Sequence, residues 1–195
     1  MKLIIASNNK HKIYEIKKIL GTKFHEILSL AEAKIDHETV EDGETFIENA
    51  FKKAREIAEI SGCAALADDS GICVDALDGA PGVYSARFSG VHGNDGDNNK
   101  LLLEKLEGRD DRGAHYTCAM ALVYPDGREI SAEGYMYGTI TESPRGNAGF
   151  GYDPLFVPKG ESRTVAEMTD DEKNAISHRA NALNELLKRL SCEDR

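Results

Sequence analysis

Several stretches of the chain carry side chains able to do chemistry. In Ala64–Gly90 a short apolar run, Ala64 to Ala67, is followed by adjacent carboxylates, Asp68 and Asp69, and then by Ser70 and Gly71. Neighbouring carboxylates repel unless a cation lies between them, and oxygen-only donors suit Mg²⁺, which keeps several waters and shares its shell with substrate phosphates. Successive strand residues face opposite ways, so both reach one ion only at a strand end or bend, and Ser70-Gly71 is read as that turn. A solvated acidic turn is the plain alternative. Upstream, Ser7-Asn8-Asn9 feeds a helix start, whose unpaired N–H groups and positive dipole end attract phosphate, with Lys10 and Lys12 adding charge. An ordinary N-cap would look the same. In Gly149–Pro154, Phe150 can offer a ring face to a nucleobase and Asp153 can accept hydrogen bonds from base or sugar, unless Phe150 and Tyr152 fold into the core. Lys173, Ser177, His178 and Arg179 lie off the apolar stripe of the last helix. His178 falls about 140° from Lys173, so one ligand meets them all only if it wraps the helix start or the early turns are irregular.

The elements that must position these groups follow from periodicity. Lys2–Ala6 is β-prone, and Ile13, Ile16 and Leu20 share a helical face that Gly21 ends. A short strand is expected near Glu26–Ser29. After the acidic turn Glu41-Asp42-Gly43-Glu44, Thr45 and Glu48 have capping-box spacing, and Phe46, Ile47, Ala50, Ala54, Ile57 and Ala58 mark a buried helix face closed by Gly62. Leu102, Leu103 and Leu106 predict a short helix ended by Gly108. Ala114–Tyr124 and Glu129–Ile140 flank Pro125-Asp126-Gly127 as a hairpin. Ser143–Gly160 reads as a long loop without regular structure, a kind more often functional than idle. Thr169 and Glu172 open one final helix with a stripe of Ile176, Ala180, Leu183, Leu187 and Leu190. Strand-helix units beside two long antiparallel strands predict an α/β fold with a mixed sheet, in a single domain spanning residues 1–195.

A chain of 195 residues with 41% hydrophobic content can bury a real core. Its 24 Lys and Arg against 34 Asp and Glu leave a net charge of -10, which opposes a broad basic surface for nucleic acid or anionic membrane. A phosphorylated small molecule needs only a local basic pocket and a metal. No run approaches about 18 apolar residues, Met1–Ile5 is too short for a secretory signal, and a cytoplasmic protein is expected. Cys63, Cys73, Cys118 and Cys192 form no C-x-x-C pair and read as reduced thiols.

Taken in order, several motifs resemble the inosine triphosphate pyrophosphatase family. They are Ser7 to Lys12, the Glu41 turn with Thr45 to Ala50, Ala67 to Gly71, Gly79-Ala80-Pro81-Gly82 with Tyr84 to Arg87, Gly149 to Pro154, and Ser177-His178-Arg179. Each is weak alone, but their ordered combination across nearly the whole chain is specific. The resemblance implies an elongated mixed sheet flanked by helices in two lobes, a nucleotide cleft between them, a homodimer, and Mg²⁺. It implies hydrolysis of dITP, ITP and XTP to monophosphate and pyrophosphate, cleansing the nucleotide pool. By position, Ser7, Asn8, Asn9, Lys10, His11 and Lys12 would hold the triphosphate. Asp69 would be general base and metal ligand, Glu41 and Asp68 would support the metal, and Ser70 would contact substrate. Phe150, Gly151, Tyr152, Asp153, Lys173, His178 and Arg179 would grip the nucleoside. The donors of His178 and Arg179 suit a 6-oxo purine and mismatch the adenine amino group, while rejection of GTP needs something near its 2-amino group. The family usually has Gly where this chain has Asn8, so a positive φ there would fall to Asn, the next most tolerant residue. The rivals are a pyrophosphatase for modified pyrimidine or ordinary nucleotides, and a nucleotide sensor, which would not need the carboxylates.

Overall fold

The computed structural model of the protein describes residues 2–21 and 24–193. Six strands, β1 (Lys2–Ile5), β2 (Glu26–Ser29), β3 (Ala64–Val74), β4 (Gly113–Val123), β5 (Glu129–Ile140) and β6 (Phe156–Pro158), hydrogen-bond in the order β2-β1-β3-β4-β5-β6. β1 runs parallel to β2, with Lys2 opposite Glu26, and parallel to β3, with Leu3 opposite Ala64, while β5 and β6 are antiparallel. The sheet is therefore mixed. The helices are α1 (Lys10–Leu20), α2 (Phe46–Ser61), α3 (Asp95–Lys105), α4 (Asp170–Ile176) and α5 (His178–Glu193).

The chain gathers into two compact units. The first comprises Met1–Asp69, Cys118–Gly134 and Arg179–Arg195. Alternation along β1 splits its core: Leu3 and Ile5 pack with Ile16 and Leu20 of α1 and Leu183 and Leu186 of α5, whereas Ile4 and Ala6 pack with Ala50, Ala54 and Ile57 of α2. Both early helices are capped as their sequences predict. Asn9 accepts at the start of α1 and Gly21 ends it, and the Thr45–Glu48 capping box opens α2, which Gly62 closes in the left-handed conformation. The second unit, Ser70–Thr117 with Tyr135–His178, buries Ile72, Leu102, Leu106, Tyr116, Met136 and Phe156.

Three expectations change. β3 does not turn at Ser70-Gly71 but runs on to Val74, since Ile72 and Val74 are wholly buried and keep the segment extended. Ser143–Gly160 is not wholly irregular: it contains β6, whose three residues are too few to show alternation and whose approach to β5 depends on Gly138, where a Cβ would meet the Val157 carbonyl and the Phe156 ring. The terminal segment is two helices. Ser177 is extended at φ -65° and ψ 149°, caps α4 through its amide to the Lys173 carbonyl, and leaves Ile176 exposed, so the buried stripe starts only at Ala180.

Candidate active site

In the first unit, charged side chains meet at the end of β1 and midway along β3. Strand alternation sends Asp68 and Asp69 to opposite sides of β3. Asp68, 2% exposed, lies on the α1 and α5 side. Its Oδ2 accepts from Arg179 Nε at 3.3 Å and Nη2 at 3.2 Å, and Lys12 Nζ lies 3.0 Å away. Arg179 Nη1 also donates to Glu15 Oε2 at 2.6 Å. Burial is the strongest influence on Asp68 and raises its pKa, but Lys12, Arg179 and Lys53 together hold it well below the usual carboxylate range. The Cys118 Sγ lies 3.9 Å from the same oxygen, and burial pushes that thiol far up. Asp68 Oδ1 has no hydrogen-bond partner among the described residues.

Asp69 faces α2. Its Oδ2 accepts from Asn49 Nδ2 at 2.9 Å, and its Oδ1 lies 3.9 Å from Lys53 Nζ, which also donates to Glu41. Burial raises the Asp69 pKa most; Lys53 and Lys12 oppose, Glu41 reinforces, and the net direction is upward. Burial lowers the Lys53 pKa, but Asp69, Glu41 and Asp68 outweigh it and hold the ammonium charged. Glu41 and Asp69 thus share one cation. Among the described residues no group of three or more His, Cys, Asp or Glu side chains is arranged to hold a metal. Two carboxylates plus substrate oxygens remain a donor set that Mg²⁺ accepts. Consecutive residues of an unbroken strand diverge, so Asp68 points toward Arg179 and Lys12 while Asp69 points toward Asn49 and Lys53.

The Ser7–Lys12 loop forms the N-terminus of α1. Asn9 Oδ1 accepts from the amides of His11 at 3.0 Å and Lys12 at 3.2 Å, and the Asn9 amide donates to Ser7 Oγ at 3.2 Å. Asn8, Asn9, Lys10 and His11 are exposed. Asn8 is not among the residues with positive φ, so an L side chain there carries no backbone strain. Ser70, half-buried, follows Asp69 along β3.

In the second unit, Asp153 organises the Gly149–Pro154 loop. Its Oδ2 accepts from the Phe150 amide at 3.0 Å and from Lys173 Nζ at 2.8 Å, and Tyr116 donates to its Oδ1 at 3.4 Å. Lys173 Nζ sits 4.5 Å from the centre of the half-buried Phe150 ring. Gly149 has φ +78°, and a Cβ there would run into Asp153 Oδ2. The Gly151 amide donates to Asp95 Oδ2 at 2.6 Å and Asn99 donates to the Gly151 carbonyl. Tyr152 is buried and donates to the Ser85 carbonyl at 2.8 Å. His178 stacks on Tyr116, with centroids 4.7 Å apart and planes 12° apart. Phe150, Asp153 and Lys173 are therefore brought together, and Tyr152 has a core role. The helix break at Ser177 sends His178 to Tyr116 and Arg179 to Asp68.

Sequence reasoning missed Asn49, Lys53, Glu15 and Tyr116. A usable signal existed for the first two, since Asn49 interrupts the apolar face of α2 and Lys53 follows it by one turn. Glu15 gave less, standing one turn beyond Lys12 on a helix rich in charge.

A model of the Ham1 family matches residues 3–189. The chain belongs to the Ham1 family. A relative from Clostridium perfringens, described as a dITP/XTP pyrophosphatase, is 53% identical over 97% of this chain and 97% of its own. One from Streptomyces coelicolor with the same description is 47% identical over 95% of each chain. The solved Ham1 protein of Staphylococcus aureus has a TM-score of 0.89 at 37% identity, covering 99% of this chain and 100% of its own. The Ham1 protein of Coxiella burnetii has a TM-score of 0.88 at 39% identity, with 98% of both chains covered.

Proposed function

We propose that the chain hydrolyses dITP, ITP and XTP to the nucleoside monophosphate and pyrophosphate, removing noncanonical purines from the nucleotide pool. The relatives described as dITP/XTP pyrophosphatases support the substrate class. The observation that carries the chemistry is Asp69, a carboxylate 6% exposed and set beside Lys53 and Glu41. A carboxylate fixed in that place is suited to take a proton from water, and Asp69 is the general base for attack at the α-phosphorus. Lys12 and the α1 start, from Ser7 to His11, bind the triphosphate and stabilise the departing pyrophosphate, and Ser70 contacts the substrate. Glu41 and Asp69 would hold Mg²⁺. Bound there, Mg²⁺ would withdraw charge from the phosphates that otherwise repel nucleophile and carboxylates.

Phe150 offers the purine a ring face backed by Lys173, with Gly151, Tyr152 and Asp153 fixing that loop. His178 supplies the donor for a 6-oxo group, and Arg179 acts through Asp68. The whole chain, 1–195, works as one pyrophosphatase domain, as a homodimer in the cytoplasm. No helix among the described residues is long and apolar enough to cross a membrane.

The test is pyrophosphate release by Asp69→Asn with Mg²⁺, alongside wild-type turnover of ITP, dITP, XTP, dUTP and GTP. Asp69→Asn should lose turnover at least about 100-fold, with inosine and xanthosine nucleotides preferred by the wild type. Near-normal release by the variant, or equal rates across substrates, overturns the reading. Orthophosphate in place of pyrophosphate would move the attack to the γ-phosphorus.

A further inference from the structure

We infer that Asn49 is a positioning residue that fixes Asp69 and the Glu41 turn together, and that Gly43 is the space its amide requires. Asn49 is 1% exposed, on the face of α2 that also carries the buried Ala50 and Ala54. An amide buried there is costly unless both of its ends are bonded. Its Nδ2 donates to Asp69 Oδ2 at 2.9 Å, and its Oδ1 accepts from the Gly43 amide at 2.8 Å. The orientation follows from chemistry, because a carboxylate only accepts and an N–H only donates, so a flipped amide would lose both bonds.

The two bonds tie a residue of β3 to the turn carrying Glu41, both of which reach Lys53. Asn49 holds one oxygen of Asp69 and leaves the other on the Lys53 side. Gly43 lies outside the positive-φ region, so its backbone does not demand glycine. Space does: a Cβ at Gly43 would stand 2.7 Å from Asn49 Oδ1 and 3.0 Å from Glu48 Cβ. Any larger residue there therefore requires the Asn49 amide to move.

The inference rests on the proposed role of Asp69 as general base, and Asp69→Asn serves as the reference that separates the two. The experiment compares Asn49→Ala, Asn49→Asp, Gly43→Ala and the Gly43→Ala/Asn49→Ala double variant, by steady-state hydrolysis of ITP with Mg²⁺ and by amide hydrogen exchange at residues 41–45 without nucleotide. Asn49→Ala should lower kcat about 10- to 100-fold, the range for losing a partner that orients a reacting group, with KM within about threefold of wild type. Asn49→Asp, nearly isosteric, keeps the acceptor for Gly43 and loses the donor. It should lose at least as much kcat while the Gly43 amide keeps its protection, which Asn49→Ala should abolish. Gly43→Ala should reproduce the kcat loss, and the double variant should be no slower than Asn49→Ala, since both break one arrangement.

Wild-type kcat in a folded Asn49→Asp enzyme, or losses that multiply in the double variant, would overturn the inference even if Asp69→Asn is inactive. A loss confined to KM would place Asn49 in substrate binding and overturn it too. Normal turnover by Asp69→Asn would instead remove the reading of Asp69 on which it stands.

Discussion

Replacing Asp68 with Asn separates the two carboxylates that the sequence places side by side. Asp68 is 2% exposed and its Oδ2 serves Arg179 and Lys12. Removing one partner of a buried ion pair costs about 3–5 kcal/mol, because the remaining charge is left uncompensated in a poorly solvated place. Two features favour the lower end. Arg179 keeps Glu15 through Nη1, and the Lys12 side chain, 16% exposed, can turn to water. About 3 kcal/mol in a chain of this length corresponds to a Tm lower by about 6–12 °C. The assay is thermal unfolding of wild type and Asp68→Asn in chelator, with pyrophosphate release from ITP measured in parallel. The loss of stability should be independent of Mg²⁺. Arg179→Met, which takes a buried cation from both Glu15 and Asp68, should cost more than Asp68→Asn. A Tm for Asp68→Asn within about 2 °C of wild type, with hydrolysis abolished, would refute the argument and return Asp68 to the metal.

Other outcomes follow from the second unit and the surface. Gly149→Ala places a Cβ against Asp153 Oδ2 at a φ of +78°, so it should disturb Phe150 and Lys173 and raise KM for ITP about tenfold or more, with a smaller change in kcat. Lys173→Met removes the cation paired with Asp153, which is 4% exposed, and should lower stability by about 3 kcal/mol in urea titration, whereas Lys173→Arg should lose less. Glu32, bound by Lys17 and by Ser29, has its pKa lowered to about 2. Since the folded pKa is depressed, its contribution is present above the ordinary Glu value of about 4.3 and is lost as pH falls through about 2. With the Glu32 side chain 49% exposed, solvent screening keeps that contribution under about 1 kcal/mol, so Glu32→Gln should change stability near neutrality only slightly and flatten its decline in acid.

The local grammar of the chain was legible. Capping residues placed α1 and α2, and the turn at Pro125-Asp126-Gly127 placed the β4–β5 hairpin, because these signals act over a few residues. The ordered motifs carried the family. What was not legible depends on burial, which local spacing does not reveal. Ser70-Gly71 looked like a turn, yet the buried Ile72 and Val74 hold β3 extended. The stripe from Ile176 onward looked continuous, yet Ser177 leaves the helix and the two following side chains diverge. Partnerships across long separations, such as Glu15 with Arg179 and Asn49 with Asp69, leave no periodic trace, so only folding reveals the groups that steady the acidic residues.

The alternation of β3 sets a rule for how this segment can change over time. Its consecutive aspartates are chemically identical but not interchangeable, since one is locked into a buried lattice of charge and the other stands beside Glu41 and Lys53. Inserting or deleting one residue between Ala64 and Asp68 would still spell Asp-Asp yet exchange their surroundings. Drift in this strand is therefore expected to proceed by side-chain replacement at constant length, while length variation is displaced to the loops beyond it.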